Sequence, residues 1–248
     1  MTRLVAEPRS RPYVAFVIPV CRDPRLSSAI ERLRMFAASH DIEAEILSVG
    51  DMRGVVSTVG DRHIHVCPAK KGTCVRTGVR ASLASSTVVI DADVPVSDSD
   101  LATIIQALGK ADVVIGSRVD TSHSTHRRPF ARRAASHGFR ILCQRLFGLN
   151  GLDTQCGVKA FRTSIGKELL AKQRTAGLAY DVELVLRART HGARIMAVPV
   201  RWTHTFSTVN VWRDAPFMLA ALLCLAYYRL TTGDLHPVDN PQLERAPA

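Results

Sequence analysis

The chain has 248 residues, of which 46% are apolar and 22% are charged. This excludes a small disulfide-stabilised protein and a disordered chain, and it suffices for one large domain with its own core. Lysine and arginine number 33 against 22 acidic residues, which gives a formal net charge of +11, and 27 of the 33 are arginine. An arginine excess suits bidentate phosphate recognition, although a compositional bias towards arginine and alanine also produces one.

Strand and helix patterns alternate along the first half of the chain. The polar residues 1–12 are expected to form a flexible arm. Short apolar runs predict strands over 13–19, 44–49, 63–66, 87–90 and 113–115. Apolar residues at helical spacing predict helices over 27–39, 72–85 and 98–108, the last capped by Ser97 or Asp98. This alternation predicts βαβ units and an α/β fold with a mostly parallel sheet.

The pattern changes after Arg118. It predicts a polar loop over 119–128, a helix over 130–147, turns over 149–160, a helix over 180–190, a strand over 195–202 and a polar loop over 203–210. Pro199 indicates an edge position for that strand, because proline cannot donate to a neighbouring strand. A largely apolar helix is expected to begin at Asp214-Ala-Pro216 and to run to 228. A single domain over 13–232 and a disordered tail over 233–248 follow.

Cysteine usage and apolar runs bear on the cellular compartment. The six cysteines form no C-x-x-C pair, so we expect free thiols in a reducing compartment and no structural zinc site. The N-terminus lacks an apolar signal core, which indicates a cytoplasmic protein. The longest apolar run, 215–228, is shorter than the roughly 20 residues of a spanning helix. Its surface is expected to be core, a homodimer contact or a face lying on the inner membrane surface.

A D-x-D segment, Asp91 and Asp93, directly follows an apolar strand. Ligands of open α/β sheets bind beyond the carboxyl ends of the strands. Two carboxylates placed there repel each other unless a cation lies between them, and Mg²⁺ or Mn²⁺ with a diphosphate supplies one. The alternative is a solvated loop with a helix-capping aspartate.

Basic residues surround this segment in the sequence. Lys70-Lys71-Gly72 and Arg76 lie at a predicted helix start, where a basic turn suits a phosphate. Seven arginines follow within 28 residues, with Asp120 as the one acid among them: Arg118, Arg127, Arg128, Arg132, Arg133, Arg140 and Arg145. The cluster suits a phosphorylated acceptor or an anionic membrane, or it is a solvated face. It lacks the aromatic residues of a single-strand nucleic-acid platform.

Two further polar segments are candidates for the site. In Asp153-Thr-Gln-Cys-Gly-Val-Lys159, Asp153 suits a base or a positioning group and Lys159 a phosphate contact, or the segment is a plain turn. Asp181 and Glu183 lie two apart on a helix, so they point in different directions, and one of them could face the site.

These pieces, in this order, resemble family 2 glycosyltransferases of the GT-A fold, above all polyprenyl-phosphate glycosyltransferases such as the dolichyl-phosphate glucosyltransferases. The resemblance covers about residues 13–230. Its segments are VAFVIPV, KKGTCVRTGVRAS, VVIDADVPVS, DVVIGSR, the arginine-rich helix, GLDTQCGVKAFR, AYDVELVLRARTHGARIMAVPVRW and STVNVWRDAPFMLAALL. It implies a single GT-A domain and a Mg²⁺- or Mn²⁺-dependent inverting transferase that moves a sugar, preferably from UDP-glucose, to polyprenyl phosphate.

The resemblance also implies roles for individual residues. Asp91 and Asp93 would hold the metal, and Asp93 and Asp153 would serve the chemistry. The expected donor site comprises Pro19, Val20, Asp23, Asp51, Lys71, Arg76, Asp91, Ala92 and Asp93. The expected acceptor phosphate site comprises Arg118, Arg128, Arg132, Gln155, Lys159, Asp181, Glu183 and Ser207. The chain departs from the family around the nucleotide, at Cys21-Arg22-Asp23, at Gly50 in place of an acid, and at Thr73-Cys74.

Three alternatives remain open from the sequence. The acceptor could be a soluble small molecule in natural-product biosynthesis. The chain could be a sugar-phosphate nucleotidyltransferase, although it has no glycine-rich loop with a trailing Arg-Lys after the first strand. It could also be a non-catalytic module that binds anionic surfaces.

Overall fold

The structure is a computed structural model that describes residues 13–21, 23–51, 62–119, 130–149, 152–202, 211–236 and 243–245. Within these residues, one mixed sheet has the strand order β3-β2-β1-β4-β6-β5-β7-β8. The strands are β1 (Tyr13–Cys21), β2 (Glu43–Asp51), β3 (Arg62–His65), β4 (Ser86–Val89), β5 (Val113–Val119), β6 (Lys159–Arg162), β7 (Ile195–Arg201) and β8 (Leu243–Arg245). The helices are α1 (Leu26–Ser39), α2 (Lys71–Ala81), α3 (Asp98–Ala107), α4 (Phe130–Phe147), α5 (Thr163–Ala171), α6 (Tyr180–Thr190) and α7 (Val211–Thr232).

The predicted α/β fold with a mostly parallel sheet is confirmed. Neighbouring strands pair in parallel except around β6, which lies antiparallel between β4 and β5. The three-residue spacing read on α1 buries Ile30, Leu33 and Phe36. Ser97 is the N-cap of α3, and its side chain accepts from the Asp100 amide. Full burial of a large apolar side chain such as Ile30, Leu33 or Phe36 stabilises the fold by roughly 1.5–3 kcal/mol.

Helices cover both faces of the sheet. On one face α1 and α3 pack over the side chains of Val14, Phe16 and Ile18, and on the other α2, α4, α5, α6 and α7 cover the alternate residues. Strands in the middle of the sheet are buried on both faces, which explains why their sequences are continuous apolar runs.

Several boundaries differ from the sequence predictions. The segment read as turns ends in β6, and α5 follows it at once. The strand with Pro199 is not the edge strand, because β8 pairs beside it. That pairing covers Ile195–Ala197 and stops before Pro199. Because Pro199 lacks an amide hydrogen but lies beyond the paired residues, it interrupts no hydrogen bond between β7 and β8. Part of the predicted disordered tail therefore forms a strand.

The apolar C-terminal helix is longer than predicted. It begins at Val211, so Pro216 lies inside it and Asp214 is not its N-cap. Arg213–Thr232 is long and apolar enough to cross a membrane by length and composition, with 11% of its window buried. The apolar run read from the sequence is shorter than a membrane span, but the helix that contains it is not.

Candidate active site

The candidate residues gather where the parallel strands end. β1, β2, β4 and β5 run in the same direction, so Asp23, Asp51, Asp91 and Arg118 follow or end strands at one edge of the sheet. β6 runs the other way and begins at this edge, which brings the preceding turn, 153–157, beside them. This edge is where open α/β sheets bind their ligands.

Both aspartates of the D-x-D segment face cations. The Lys71 Nζ, at the start of α2, lies 2.7 Å from an Asp91 carboxylate oxygen, and the Arg25 guanidinium lies 3.6 Å from Asp93. Burial alone would lower the pKa of Lys71, but Asp91 and Asp181 outweigh burial and raise it. Lys71 is therefore protonated at neutral pH.

Arg25 also ties the end of β1 to the D-x-D segment. Its Nε and Nη2 donate to the two carboxylate oxygens of Asp23 at 2.8 and 2.6 Å. The hydrogen bonds from Arg25 hold the pKa of Asp23 below its ordinary value. The sequence reading missed Arg25, although its position two residues after Asp23 was the signal.

The turn after Asp93 is strained and braced. Val94 has a φ of +40°, which is unusual for a β-branched residue, and its amide donates to the Asp91 carbonyl at 2.9 Å. The Arg32 guanidinium donates to the carbonyls of Val94 and Val96, both at 2.6 Å. Such backbone strain persists only where surrounding contacts enforce it. Here the hydrogen bonds from Arg32 enforce it, and they fix the direction of the D-x-D segment.

Asp153 is held by Arg118. The Arg118 Nε and Nη2 donate to the two Asp153 carboxylate oxygens at 2.6 and 2.8 Å, and the guanidinium lies 5.8 Å from the centre of the Trp202 ring. Burial acts to raise the pKa of Asp153, but the Arg118 hydrogen bonds outweigh it and hold the pKa below its ordinary value. Of the two roles read for Asp153, this favours the positioning group, because a carboxylate of low pKa is a weak base.

Gly157 connects the D-x-D segment with the pair of Arg118 and Asp153. A side chain at this position would overlap the Asp91 carboxylate and approach the Trp202 indole. The backbone of the turn therefore packs directly against the first aspartate, while the same turn presents Asp153 to Arg118. The D-x-D segment, the turn 153–157 and the end of β5 form one contiguous site, which we call the carboxyl-edge site.

The residues present fit a Mg²⁺- or Mn²⁺-type metal bound together with a diphosphate. Carboxylate oxygens are the ligands that these hard cations prefer, and one or two carboxylates plus substrate phosphates are their usual set. Within the described residues no cluster of three or more acidic, histidine or cysteine side chains could hold a metal ion alone. Asp91 and Asp93 thus suit a cation that the donor diphosphate helps to bind.

The expected donor residues lie along this edge, except one. Val20, Asp51 and Ala92 are buried near the strand ends, and Pro19 is half-buried. Arg76 is exposed on α2 and its guanidinium lies 3.5 Å from the Gln173 carbonyl, so its one described contact is with the loop after α5.

Gly50 has a structural reason to replace the acid of the family. Its φ is +147°, and a side chain there would overlap the Val20 carbonyl on the neighbouring strand. The acid that the resemblance implies therefore does not fit this backbone at position 50.

Three of the expected acceptor residues are not open to a ligand. Lys159 is 1% exposed and its Nζ lies 2.5 Å from Asp181, so neither faces a phosphate. Glu183 accepts the backbone amides of Arg174 and Thr175 at 2.7–3.0 Å, which makes it a loop anchor. Asp181 and Glu183 do point in different directions, as their spacing predicted.

The remaining acceptor candidates are partly described. Gln155 lies in the turn, and its Nε2 is buried without a hydrogen-bond partner among the described residues. Arg128 and Ser207 lie outside the described residues, and on Arg132 only the helix backbone is described. Trp202 was missed, and its place at a predicted strand end was the available signal.

The chain is similar in sequence to known glycosyltransferases. No protein-family model matches the chain. A dolichyl-phosphate β-glucosyltransferase of Dictyostelium discoideum is 30% identical over 141 residues, which are 54% of this chain and 43% of that protein. One of Trichomonas vaginalis is 24% identical over 219 residues, 78% of this chain and 64% of that protein. The chain spans less than two thirds of the length of these relatives.

Solved structures show the same fold. The glucosyl-3-phosphoglycerate synthase of Mycobacterium tuberculosis, solved with Mn²⁺, UDP and phosphoglyceric acid, aligns with a TM-score of 0.65 at 14% identity. The alignment covers 88% of this chain and 79% of that one. The chain thus has the GT-A fold and resembles the polyprenyl-phosphate glycosyltransferases in sequence.

Proposed function

We propose that this chain is a glycosyltransferase that moves a sugar, with UDP-glucose as the favoured donor, to the phosphate of a polyprenyl phosphate. The observation that carries the proposal is the contact between Asp91 and the turn at Gly157. Through it, the carboxylates of a metal–diphosphate site lie next to Arg118, a cation suited to an acceptor phosphate. The resemblance to dolichyl-phosphate glucosyltransferases supports the classes of donor and acceptor.

The proposed reaction inverts the anomeric carbon of the sugar. An oxygen of the acceptor phosphate forms a bond to that carbon, and the bond from the carbon to the donor diphosphate breaks on the opposite face. A phosphate monoester is already anionic at neutral pH, so it needs no base, in keeping with the low pKa of Asp153. The remaining work is alignment of the two reactants and neutralisation of charge.

The charged side chains divide this work. Asp91 and Asp93 are the residues that would hold a divalent cation, which when bound neutralises the leaving diphosphate. Lys71, which is protonated at neutral pH and lies at the start of α2, is placed to bind the same diphosphate. Arg118 offers the acceptor phosphate its remaining donors while Asp153 fixes the plane of its guanidinium.

The exposed face of α7 supports a lipid acceptor. Leu219, Leu223, Tyr227 and Leu230 recur at helical spacing and are 45–80% exposed. Leu222 and Leu225 are buried, and α7 packs against α4, so the helix lies along the domain. At its C-terminal end, the Tyr228 hydroxyl donates to Asp234 at 2.9 Å and the Arg174 guanidinium lies 3.7 Å from the Tyr228 ring centre.

Arginines are exposed on α7 and on the helix packed against it. Arg140 and Arg145 lie on α4, which contacts α7, and Arg213 on α7 pairs with Asp214 at 2.7 Å. An apolar helix face in a basic part of the chain matches a helix that lies in the surface of an anionic membrane. We therefore include peripheral membrane binding through α7 in the proposal.

Transfer is tested with UDP-glucose and a short-chain polyprenyl phosphate in the presence of Mn²⁺, with product detected by mass spectrometry. Asp91→Asn and Asp93→Asn should each lower the rate at least 100-fold, whereas Glu168→Gln, at an exposed glutamate of α5, should leave the rate unchanged. Transfer to a soluble phosphate and not to the lipid would show that the acceptor is a soluble molecule and not a polyprenyl phosphate. Nucleotidyl transfer, or no metal-dependent nucleotide binding by calorimetry, would overturn the proposal.

Membrane binding is tested by flotation with liposomes that contain anionic lipid. Leu223→Glu with Tyr227→Glu should abolish flotation. The matched control is Leu83→Glu, because Leu83 is 75% exposed and lies between α2 and β4. A wild-type protein that stays with the soluble fraction would contradict this part of the proposal.

A further inference from the structure

Lys159 is a buried cation at the centre of the sheet. It is the first residue of β6 and pairs in register with Val89 of β4 and Ile115 of β5. Asp91 follows Val89 by two residues, and Arg118 follows Ile115 by three. Lys159 therefore lies a short distance inside the sheet from the carboxyl-edge site. Its side chain is 1% exposed, so it contacts no solvent-borne ligand.

The Lys159 ammonium has two anchors. Its Nζ donates to the Asp181 carboxylate at 2.5 Å and to the Cys156 carbonyl at 2.6 Å. Asp181 lies in the first turn of α6 and its side chain is 5% exposed. A buried charge is costly without a partner, so each of these two residues requires the other.

The Cys156 carbonyl belongs to the turn that carries Asp153 and Gly157. The Cys156 amide donates to the Asp153 carbonyl at 3.0 Å, which closes the turn. On either side of Cys156, Asp153 binds Arg118 and the Gly157 backbone packs against Asp91 and Trp202. The hydrogen bond from Lys159 thus fixes a turn that contacts both the D-x-D segment and Arg118.

We propose that Lys159 and Asp181 are positioning residues, which hold the turn 153–157 so that Asp153 and Arg118 stay aligned with Asp91. This rests on the proposed function for the reaction that the turn serves. Asp181 fixes the Lys159 ammonium, and the ammonium fixes the Cys156 carbonyl. Both side chains are buried, so the pair acts on a substrate through its neighbours, chiefly through the turn.

The test separates stability from position. Lys159→Met alone and Asp181→Asn alone each leave one buried group without its partner and should lower Tm. The double variant K159M/D181N removes both charges and should recover most of that Tm loss. If the pair only stabilises the fold, activity should recover together with Tm; if it positions the turn, activity should stay low.

Trp202 reports the position of the turn without any substrate. The chain has two tryptophans, so Trp212→Phe leaves Trp202 as the one fluorophore of that kind. In this background, K159M/D181N should raise acrylamide quenching of Trp202 at least twofold. In the transfer assay it should lower kcat/KM for the acceptor at least tenfold and change the Kd of Mn²⁺–UDP less than threefold.

Recovery of wild-type quenching and kcat/KM in the double variant would overturn the proposal. If the double variant does not fold, hydrogen exchange of the wild type decides: amides of Cys156 and Val158 that exchange as slowly as those of β4 support a fixed turn, and fast exchange overturns it. If the wild type has no transferase activity while K159M/D181N still raises the quenching of Trp202, the proposed function is refuted and the fixing of the turn remains supported.

Discussion

Arg118 and Asp153 are joined by two hydrogen bonds between a guanidinium and a carboxylate, at 2.6 and 2.8 Å, across the gap between β5 and the turn 153–157. The planar guanidinium matches both carboxylate oxygens at once, which a single ammonium cannot do. This pair sets the orientation of the cation that we assign to the acceptor phosphate, and it makes the site sensitive to a conservative substitution.

Arg118→Lys should therefore lower kcat/KM for the acceptor although it keeps the charge. A hydrogen bond between charged groups contributes about 1.5–3 kcal/mol, which corresponds to a loss of roughly tenfold to hundredfold. Steady-state kinetics at varied acceptor measures it. The matched control is Arg162→Lys on β6, whose partner Asp112 lies at the other end of the strands. Equal activity of Arg118→Lys and the wild type would contradict the role of the guanidinium plane.

The Asp153 carboxylate should also make stability depend on pH. Its folded-state pKa is depressed, so it stabilises the native state above the unfolded value of about 4, and this contribution is lost as pH falls through the folded pKa. The stability difference between the wild type and Asp153→Asn should be largest near neutral pH and should shrink below about pH 4. Urea unfolding from pH 7 to 3.5 measures the difference. A difference independent of pH would show that Asp153 is not held as an anion.

The sequence foretold those parts of the fold that depend on local pattern. The parallel strands are continuous apolar runs, and the D-x-D segment follows β4 directly, so both could be placed without long-range information. β6 was missed because its four residues gain their identity as a strand from β4 and β5, which lie far away in the chain. The start of α7 was missed because Asp214 and Pro216 are typical of a helix start, although the helix already begins at Val211.

The site was harder to predict than the fold. Lys159 was read as a phosphate contact because it ends a polar segment, 153–159, that has the character of a turn. Its burial depends on Asp181, which is 22 residues away and could not be paired with it by spacing. Arg25 and Trp202 likewise gain their roles from strand ends that only the sheet order brings together.

The six cysteines should differ sharply in reactivity. None is in a disulfide, as the sequence predicted, and Cys21, Cys67 and Cys224 are exposed. Burial raises the pKa of Cys143 and Cys156 to about 12 and that of Cys74 to about 11, so these three are buried thiols at neutral pH.

At pH 8, a thiol reagent should modify three cysteines quickly in the native protein and all six after denaturation. Mass spectrometry of the peptides identifies which ones react. Anionic liposomes should slow the reaction of Cys224 on α7 and leave that of Cys67 unchanged. Rapid labelling of Cys156 in the native protein would contradict its burial beside the carboxyl-edge site.

Gly50→Asp should destabilise the protein, although it introduces the acid that the family resemblance implies at this position. The new side chain would overlap the Val20 carbonyl, and the backbone would have to leave its φ of +147°. We expect a loss of about 3 kcal/mol or more, within the range of strained and overpacked sites. Gly50→Ala should share most of the loss, which separates backbone overlap from charge. Wild-type stability of either variant in urea unfolding would mean that the glycine is not required by the strand pairing.

Gly157→Ala tests the contact that carries the proposed function. The added methyl group would overlap the Asp91 carboxylate, which must then move away from its present position beside Lys71. Mn²⁺-dependent binding of UDP should weaken at least tenfold, as measured by calorimetry, because the D-x-D segment loses one aligned ligand. Gly177→Ala is the matched control, since the space around Gly177 is open and its substitution should leave binding unchanged. If Gly157→Ala binds Mn²⁺ and UDP as the wild type does, Asp91 is not a metal ligand in that geometry. The metal would then depend on Asp93 and the diphosphate, and the turn would serve the acceptor side alone.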